Sequence, residues 1–418
     1  MRILLATDSF PPHCGGSGWS TYELARELRA RGHEVIAFKV VAGTSAPERD
    51  TTFDGIRVLE HHVFAPNVPG LRNYFKNERL YPRVAQRLAQ LIAGERIDIV
   101  HGQHVLSAPP SVVAARQAGI PSVVTVRDYW PVCYRSDLLH TSRNLSFCPG
   151  CLHAAGRHQT STRIGLVGFG QLLVRKYLIA NMASKARALV DAGAVIAVSH
   201  VIAKDLVDRA PQLANVRIEV VPNPVNVRAL TERRAGSPPI DRPYALYAGK
   251  LAVNKGTDHL VPVVERAGLD WPLVIAGDGP DRAAVEEAAK RSGRDVRVLG
   301  WLDRETITTW IAHAAMLVFP SRGPESLSRV LIEASALGVP IAAMRTGGTA
   351  DIVEDDVTGL LSEDAHGLAD DVRRLRADPE LRARLGTAAA QHALATFDAA
   401  VVVDRIERLY ERLLGERR

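Results

Sequence analysis

Phe319-Pro320-Ser321-Arg322-Gly323-Pro324-Glu325-Ser326-Leu327-Ser328-Arg329-Val330-Leu331-Ile332-Glu333-Ala334 is the stretch on which the reading of this 418-residue chain turns. An apolar run ends at Phe319 and a loop turns over Gly323-Pro324. The pattern then predicts a helix from about Ser326, with Leu327, Val330, Leu331, Ala334 and Leu337 on its apolar face. Strand, Gly-Pro turn and helix in that order make one unit of an α/β sheet. Glu325 and Glu333 are eight residues apart. At about 1.5 Å of rise per residue, a helix would hold them roughly 12 Å apart on nearly the same side. Carboxylates that cleave a glycosidic bond as a pair sit about 5–9.5 Å apart. The spacing therefore excludes a hydrolase pair and suits the two ends of one long ligand. The expected helix N-terminus between them, with Ser326, Leu327 and Ser328, would offer amides and a partial positive charge to an anion. A nucleotide-sugar has that layout, with hydroxyls at both ends and phosphates between.

The same alternation extends outward in both directions. In the second half, strands are expected at Tyr244–Ala248, Pro272–Ala276, Arg297–Leu299, Ala315–Phe319 and Pro340–Met344. In the first half they are expected at Ile3–Thr7, Glu34–Val40, Ile97–His101, Ser122–Arg127 and Ala194–Ser199, with helices at about Ser20–Arg31 (stopped by Gly32), Tyr81–Ala93 and Gln171–Val190. Glu232 to Pro239 has linker composition. The fold class is therefore α/β, two doubly wound parallel-sheet Rossmann-like domains over residues 1–224 and 225–397, with a strongly periodic helix over 398–418. Parallel sheets bind ligands at the carboxyl ends of their strands, so a cleft between the domains is the expected site.

Composition narrows the function classes. With 46% hydrophobic and 23% charged residues the chain suits a globular protein with a large core. No apolar run approaches the ~20 residues of a membrane helix, and the N-terminal apolar stretch is too short for a signal peptide. A cytoplasmic location is expected. The net charge of +6 is uneven. Residues 1–224 carry 26 Lys/Arg against 17 Asp/Glu, or +9, and the remainder carry 26 against 29, or −3. A basic first half suits anionic lipid or another acidic partner as well as a plain solvated surface. Clustered Lys/Arg with interleaved aromatics is absent, so nucleic acid is not expected. The apolar run Ile164–Lys176 ends in two basic residues. It reads either as a helix packed in its own core or as a peripheral contact with the inner, anionic face of a membrane. Cys133, Cys148 and Cys151, with His140, His153 and His158 nearby, leave three readings open: a structural Cys₃His zinc site, a labile disulfide, or packed thiols.

Four further motifs bear on ligand binding. In Tyr244-Ala245-Leu246-Tyr247-Ala248-Gly249-Lys250-Leu251-Ala252-Val253-Asn254-Lys255-Gly256, Gly249 permits close backbone approach. Lys250 and Lys255 are suited to a diphosphate leaving group whose charge grows as a sugar bond breaks. Gly277-Asp278-Gly279-Pro280 is a tight turn after a buried strand, and Gly300-Trp301-Leu302 could offer backbone groups to a base edge. Gly347-Gly348 could approach a ligand or simply turn the chain. Near the N-terminus, Gly15-Gly16-Ser17-Gly18 could bring amides over a phosphate or sugar. It lacks Gly-x-Gly-x-x-Gly spacing, and the second strand ends near Lys39-Val40 rather than at an acid, which argues against NAD.

These residues together resemble glycosyltransferase family 4, the retaining transferases of GT-B fold. The resemblance spans the whole chain. It rests on the N-terminal Gly-rich loop, Gly249-Lys250-Leu251 through Lys255-Gly256, Gly277-Asp278-Gly279-Pro280, and Glu325 with Glu333-Ala334. It implies transfer of a hexose from a nucleotide-sugar to a glycan, lipid-linked or small-molecule acceptor, with retention and no obligatory metal or other cofactor. By that likeness Lys250 and Lys255 hold the diphosphate, Glu325 the sugar hydroxyls and Glu333 the ribose. Gly15, Gly16, Gly249, Gly277, Gly300, Leu302, Ser326, Leu327 and Ser328 line the donor, and the C-terminal helix returns to the first domain. Departures stand out: Lys250 where Arg is usual, Ser328 where Gly is usual, and Arg127-Asp128 where the family carries a sugar-facing His-Asp pair. Arg127 cannot act as a base near neutral pH, so it would bind, for instance to an anionic group. A sugar-nucleotide epimerase, a phosphorylase or an inactive sugar-nucleotide-binding protein on the same scaffold are the alternatives, and the nucleotide, sugar and acceptor stay open.

Overall fold

Runs such as Ala194-Val195-Ile196-Ala197 and Leu273-Val274-Ile275-Ala276 are apolar at every position, the pattern of a parallel strand covered on both faces. Both are strands buried along their whole length. The structure, a computed structural model, describes residues 1–43, 45–134, 136–138, 167–232 and 237–416. These divide into two compact units: residues up to 224 together with those from 399 onward, and residues 225–398.

The first unit is built on an eight-stranded sheet, β1 (Arg2–Thr7), β2 (Glu34–Gly43), β3 (Arg49–Phe53), β4 (Ile56–Phe64), β5 (Ile99–Gly102), β6 (Ser122–Val126), β7 (Ala194–Ala197) and β8 (Ile218–Val220), in the order β3-β4-β2-β1-β5-β6-β7-β8. All neighbours are parallel except the β3/β4 hairpin. That hairpin turns through Asp54 and Gly55, both at positive φ, as a two-residue hairpin turn requires. Strands β3, β4 and β8 were not expected from the sequence. β3 is exposed at four of its five positions and so lacks an apolar signature. β2 runs to Gly43, three residues beyond the Lys39-Val40 end expected for it.

The first helix spans Gly16–Ala30 rather than starting at Ser20, with Gly15 as its N-cap. The glycine stretch is therefore mostly helix, not turn. Gly18 is required by packing, since a Cβ there would lie 2.6 Å from Cys14 Cβ and 2.8 Å from Ser9 Oγ. The helix expected at Gln171–Val190 begins at Val167. The C-terminal helix, Ala399–Gly415, belongs to this unit. It buries Val402, Val403, Ile406, Leu409 and Tyr410 against Ile3, Leu5, Leu24 and Leu28, the i, i+3, i+4, i+7 stripe of an amphipathic helix.

The second unit carries a six-stranded parallel sheet, β9 (Ala245–Ala248), β10 (Leu273–Ala276), β11 (Val296–Gly300), β12 (Met316–Phe319), β13 (Ile341–Met344) and β14 (Leu360–Ser362), ordered β11-β10-β9-β12-β13-β14. β14 is the strand here that sequence missed; it has only three residues. The strand order reverses between β9 and β12, which is where a doubly wound sheet opens for ligands. Among the described residues no helix is long and apolar enough to cross a membrane.

Candidate functional site

The loops that leave β9 and β12 lie directly on each other. The Asn254 carbonyl accepts hydrogen bonds from the Arg322 amide (3.1 Å) and the Gly323 amide (2.7 Å), and Ser321 Oγ lies 3.2 Å from it. Gly256, at φ +66, makes this approach possible: a Cβ there would fall 1.8 Å from the Pro320 carbonyl oxygen. The clamp brings Lys255 and Glu325 together, with Lys255 Nζ 2.7 Å from Glu325 Oε1, and Ser321 Oγ donates to the same carboxylate oxygen. Glu325 is 8% exposed and Lys255 31%, so the pair sits at the rim with its carboxylate inward. On the far side, the Glu325 carbonyl accepts the Gly348 amide at 2.8 Å. A Cβ on Gly347 would lie 2.1 Å from that carbonyl. Gly347-Gly348 therefore seats the Glu325 backbone.

The helix after this loop is Arg329–Ala336, with Ser328 as its extended N-cap. It begins three residues later than the sequence pattern suggested. Ser326 and Leu327 are loop residues, and Glu325 and Glu333 do not share a helix, so the 12 Å spacing argument does not apply. Ser326 to Ser328 read as helical by periodicity, but the loop that leads to them is held by its bonds to Asn254 and Gly348, and the helix starts only after Ser328. Glu333 is buried, with Oε1 accepting from Arg329 Nε (2.8 Å) and Arg304 Nη1 (3.1 Å). Burial alone would raise its pKa; the two guanidiniums outweigh it and hold the carboxylate below the ordinary glutamate value. Arg304 was not anticipated from the sequence, since it lies 29 residues before its partner.

Lys250 is exposed and forms no ion pair with a described residue. The Gly249 amide bonds to the Ala276 carbonyl (3.0 Å) and the Gly277 amide to the Gly300 carbonyl (2.8 Å). These two amides are committed to the sheet, and the glycines serve close packing: a Cβ on Gly277 would meet the Gly249 carbonyl at 1.8 Å. Leu302 is partly exposed, next to Trp301 at 73% exposure.

In the first unit Arg127 and Asp128 follow β6. Arg127 is buried; its Nε donates to Asn223 Oδ1 at 2.8 Å and its Nη1 to Gln103 Oε1. Asp128 Oδ1 accepts the Trp130 amide at 2.8 Å. Burial raises the Asp128 pKa to about 6, opposed by the Trp130 amide and Lys185 and reinforced by Asp8. Asp8, just past β1, is likewise raised to about 6 by burial, against the Leu106 amide, Ser107 and Lys76. His104, just past β5, is depressed to about 3 by burial and by Arg127. His101 is buried between Tyr410 Oη (2.6 Å) and Thr125 Oγ1 (2.7 Å), which ties the C-terminal helix to the sheet. Asp8, Gln103, His104 and Asn223 were missed in the sequence; their signal was position, one to three residues past the end of a strand. Gly15 and Gly16 open the helix after β1.

Cys133 is buried. Cys148, Cys151, His140, His153 and His158 lie outside the described residues, as do residues 164–166 of the Ile164–Lys176 run, whose remainder opens the helix Val167–Val190. Among the described residues no His/Cys/Asp/Glu group is arranged to hold a metal ion.

Residues 14–229 match the family model described as Glycosyltransferase Family 4, and residues 242–378 the one described as Glycosyl transferases group 1. The D-inositol 3-phosphate glycosyltransferase of Xylanimonas cellulosilytica is 30% identical over 90% of this chain and 86% of its own length. The glycogen synthase of Mycobacterium tuberculosis is 26% identical over 98% of this chain and 94% of its own. Among solved structures, sucrose-phosphate synthase from Thermosynechococcus elongatus superposes with a TM-score of 0.68 at 20% identity, covering 100% of both chains.

Proposed function

The chain belongs to glycosyltransferase family 4, and from that premise we propose that it moves a hexose from a nucleotide-sugar to an acceptor hydroxyl with retention at the anomeric carbon. It is a hexosyltransferase of GT-B fold. In this reading the second unit binds the donor. Lys250 and Lys255 face the diphosphate, where positive charge counts most as the leaving group gains negative charge. An ammonium carries three donors, so Lys255 can keep Glu325 and hold a phosphate oxygen at once. Glu325 takes the sugar hydroxyls. Glu333, ionised between two arginines, takes the ribose through Oε2, which has no hydrogen-bond partner among the described residues.

The acceptor oxygen would approach the anomeric carbon on the face the diphosphate leaves. The carbon–phosphate-oxygen bond breaks, the carbon–acceptor-oxygen bond forms, and the acceptor proton passes to the departing phosphate oxygen. No divalent metal is required for this balance. The acceptor is a glycan, a lipid-linked sugar or a small polyol such as an inositol phosphate.

The observation that carries the reading is the Lys255–Glu325 pair at the strand reversal of the second sheet. Its test is a thermal-shift screen of UDP-, GDP- and dTDP-sugars, followed by NMR of the product anomer. One nucleotide class should raise the melting point, since a ligand at about 100 times its Kd stabilises by about 2.7 kcal/mol. An inverted product, or no response to any class, would contradict it.

A further inference from the structure

The first sheet also reverses its strand order, between β1 and β5. Asp8 follows β1, and Gln103 and His104 follow β5, so all three stand at the carboxyl ends that flank the reversal. Each has one polar atom fixed and one without a hydrogen-bond partner among the described residues. Asp8 Oδ2 accepts the Leu106 amide at 3.0 Å, while Oδ1 is covered and unpaired. His104 Nδ1 lies 3.0 Å from Thr7 Oγ1 and 3.4 Å from the Asp8 amide, while Nε2 is covered and unpaired. Gln103 Oε1 accepts from Arg127, while its Nε2 is unpaired.

The Asp8 amide hydrogen is fixed by the backbone and has Nδ1 as its acceptor. The ring proton of the neutral imidazole therefore sits on Nε2. The site thus presents one unused acceptor, Asp8 Oδ1, and unused N–H donors on His104 and Gln103. Buried polar atoms are normally paired, and atoms left over mark where a missing partner belongs. A hydroxyl donates once and accepts, and so matches this set. An ammonium would meet the His104 and Gln103 donors head on, and a phosphate or carboxylate would meet Asp8. Asp8 and His104 are each half-buried as residues, with Oδ1 and Nε2 themselves on the covered side.

We propose that Asp8 Oδ1 and His104 Nε2 together bind one hydroxyl of the sugar-accepting substrate and so select a neutral polyol at that position. The proposal rests on the transfer reading above. It is tested on the full chain with the donor found by the thermal-shift screen. The acceptor probes are D-inositol 3-phosphate, maltohexaose and methyl α-D-glucopyranoside, plus monodeoxy forms of whichever is used. Asp8→Asn and His104→Leu should lower acceptor kcat/KM by about 100-fold, mainly through KM, because a site built for a hydroxyl penalises its loss heavily. Donor Kd should stay within about twofold, since donor contacts are untouched. His104→Gln keeps an N–H donor and should recover about tenfold of the loss, which a purely structural role would not give. One monodeoxy acceptor should be poor for the wild type and no poorer for Asp8→Asn, as expected when a residue and a hydroxyl act as a pair. Unchanged acceptor kcat/KM in both variants would overturn the proposal. So would an equal loss of donor affinity, which would move the pair to the donor side and leave the transfer reading standing. A wild type that turns over no nucleotide-sugar would overturn both.

Discussion

Gly256→Ala separates two costs that usually arrive together. Gly256 adopts φ +66, and a Cβ there would lie 1.8 Å from the carbonyl oxygen and 2.7 Å from the carbonyl carbon of Pro320. The left-handed conformation alone costs a residue with a Cβ about 1–2 kcal/mol. The clash is with backbone, so no side-chain rotation relieves it and the two loops must part by more than an ångström. Parting them strains two backbone hydrogen bonds to the Asn254 carbonyl, each contributing about 1 kcal/mol net. The sum is about 3–4 kcal/mol. Gly268→Ala is the control: it has φ +65 and nothing within 4 Å of a new Cβ, so it carries the conformational cost alone. At about 2–4 °C per kcal/mol for a unit of this size, the control should lose about 2–8 °C and Gly256→Ala about 6–16 °C. Calorimetry measures both. Donor kcat/KM should fall about 100-fold in Gly256→Ala only, because ångström-scale misplacement of Lys255 spoils the geometry of transfer. Two variants melting within about 2 °C of each other would refute the loop-on-loop reasoning.

Glu325→Gln should leave the melting point close to wild type and remove about 99% of transfer, measured by donor turnover, as for loss of a charged group at the reacting centre. Lys255→Ala should do the same to transfer but also destabilise, since it strands a buried carboxylate. Asp8, with its pKa raised to about 6, binds protons more tightly folded than unfolded between about pH 4 and 6, so its contribution to stability falls as pH rises through that window. Asp8→Asn should therefore be more stable than wild type at pH 7.5, by up to about 3 kcal/mol for two pKa units, with the difference vanishing near pH 4 in urea titrations; a difference that grows at low pH would reverse the assignment. Leu409→Ala should cost the first unit about 3 kcal/mol in urea denaturation, because its side chain is fully covered in that unit's core.

The parts of the fold that could be read in the sequence were those where burial dictates composition. Strands β5–β7, β9, β10, β12 and β13 are covered on both faces and so are mainly apolar, the exceptions in β5 and β6 being His101, Ser122 and Thr125. The C-terminal helix has a clean stripe. The β3/β4 hairpin was missed because β3 is an exposed edge, although Asp54-Gly55 is a strong hairpin signal that composition alone overlooked. In the second unit Lys255 and Glu325 were identified by motif, but their direct contact was not, because it depends on a backbone clamp between residues 254 and 320–323. The helix start was misplaced for the same reason: the tertiary hydrogen bonds of residues 321–325 fix the loop and delay the helix to Arg329. Arg304 and Arg329 around Glu333 could not be ranked above other arginines without knowing which of them face inward.

Arg127 shows how one substitution reorganises a site's chemistry. Where the family resemblance leads one to expect histidine, the guanidinium is buried and spends Nε on Asn223 and Nη1 on Gln103. Two of its donors thus join the ends of β5 and β6 to the segment after β8. Its fixed charge also helps burial to keep His101 and His104 neutral, with both pKa values depressed. With Arg127, His104 stays a neutral N–H donor at any working pH, and Gln103 has its carbonyl occupied and its NH₂ left to offer. The only groups of this cluster that change charge near neutrality are then Asp8 and Asp128, flanked by Lys76 and Lys185. An acceptor hydroxyl that donates to Asp8 needs the carboxylate form. Acceptor kcat/KM should accordingly rise with pH through about 6 and level off above it, and Asp8→Asn should flatten that rise.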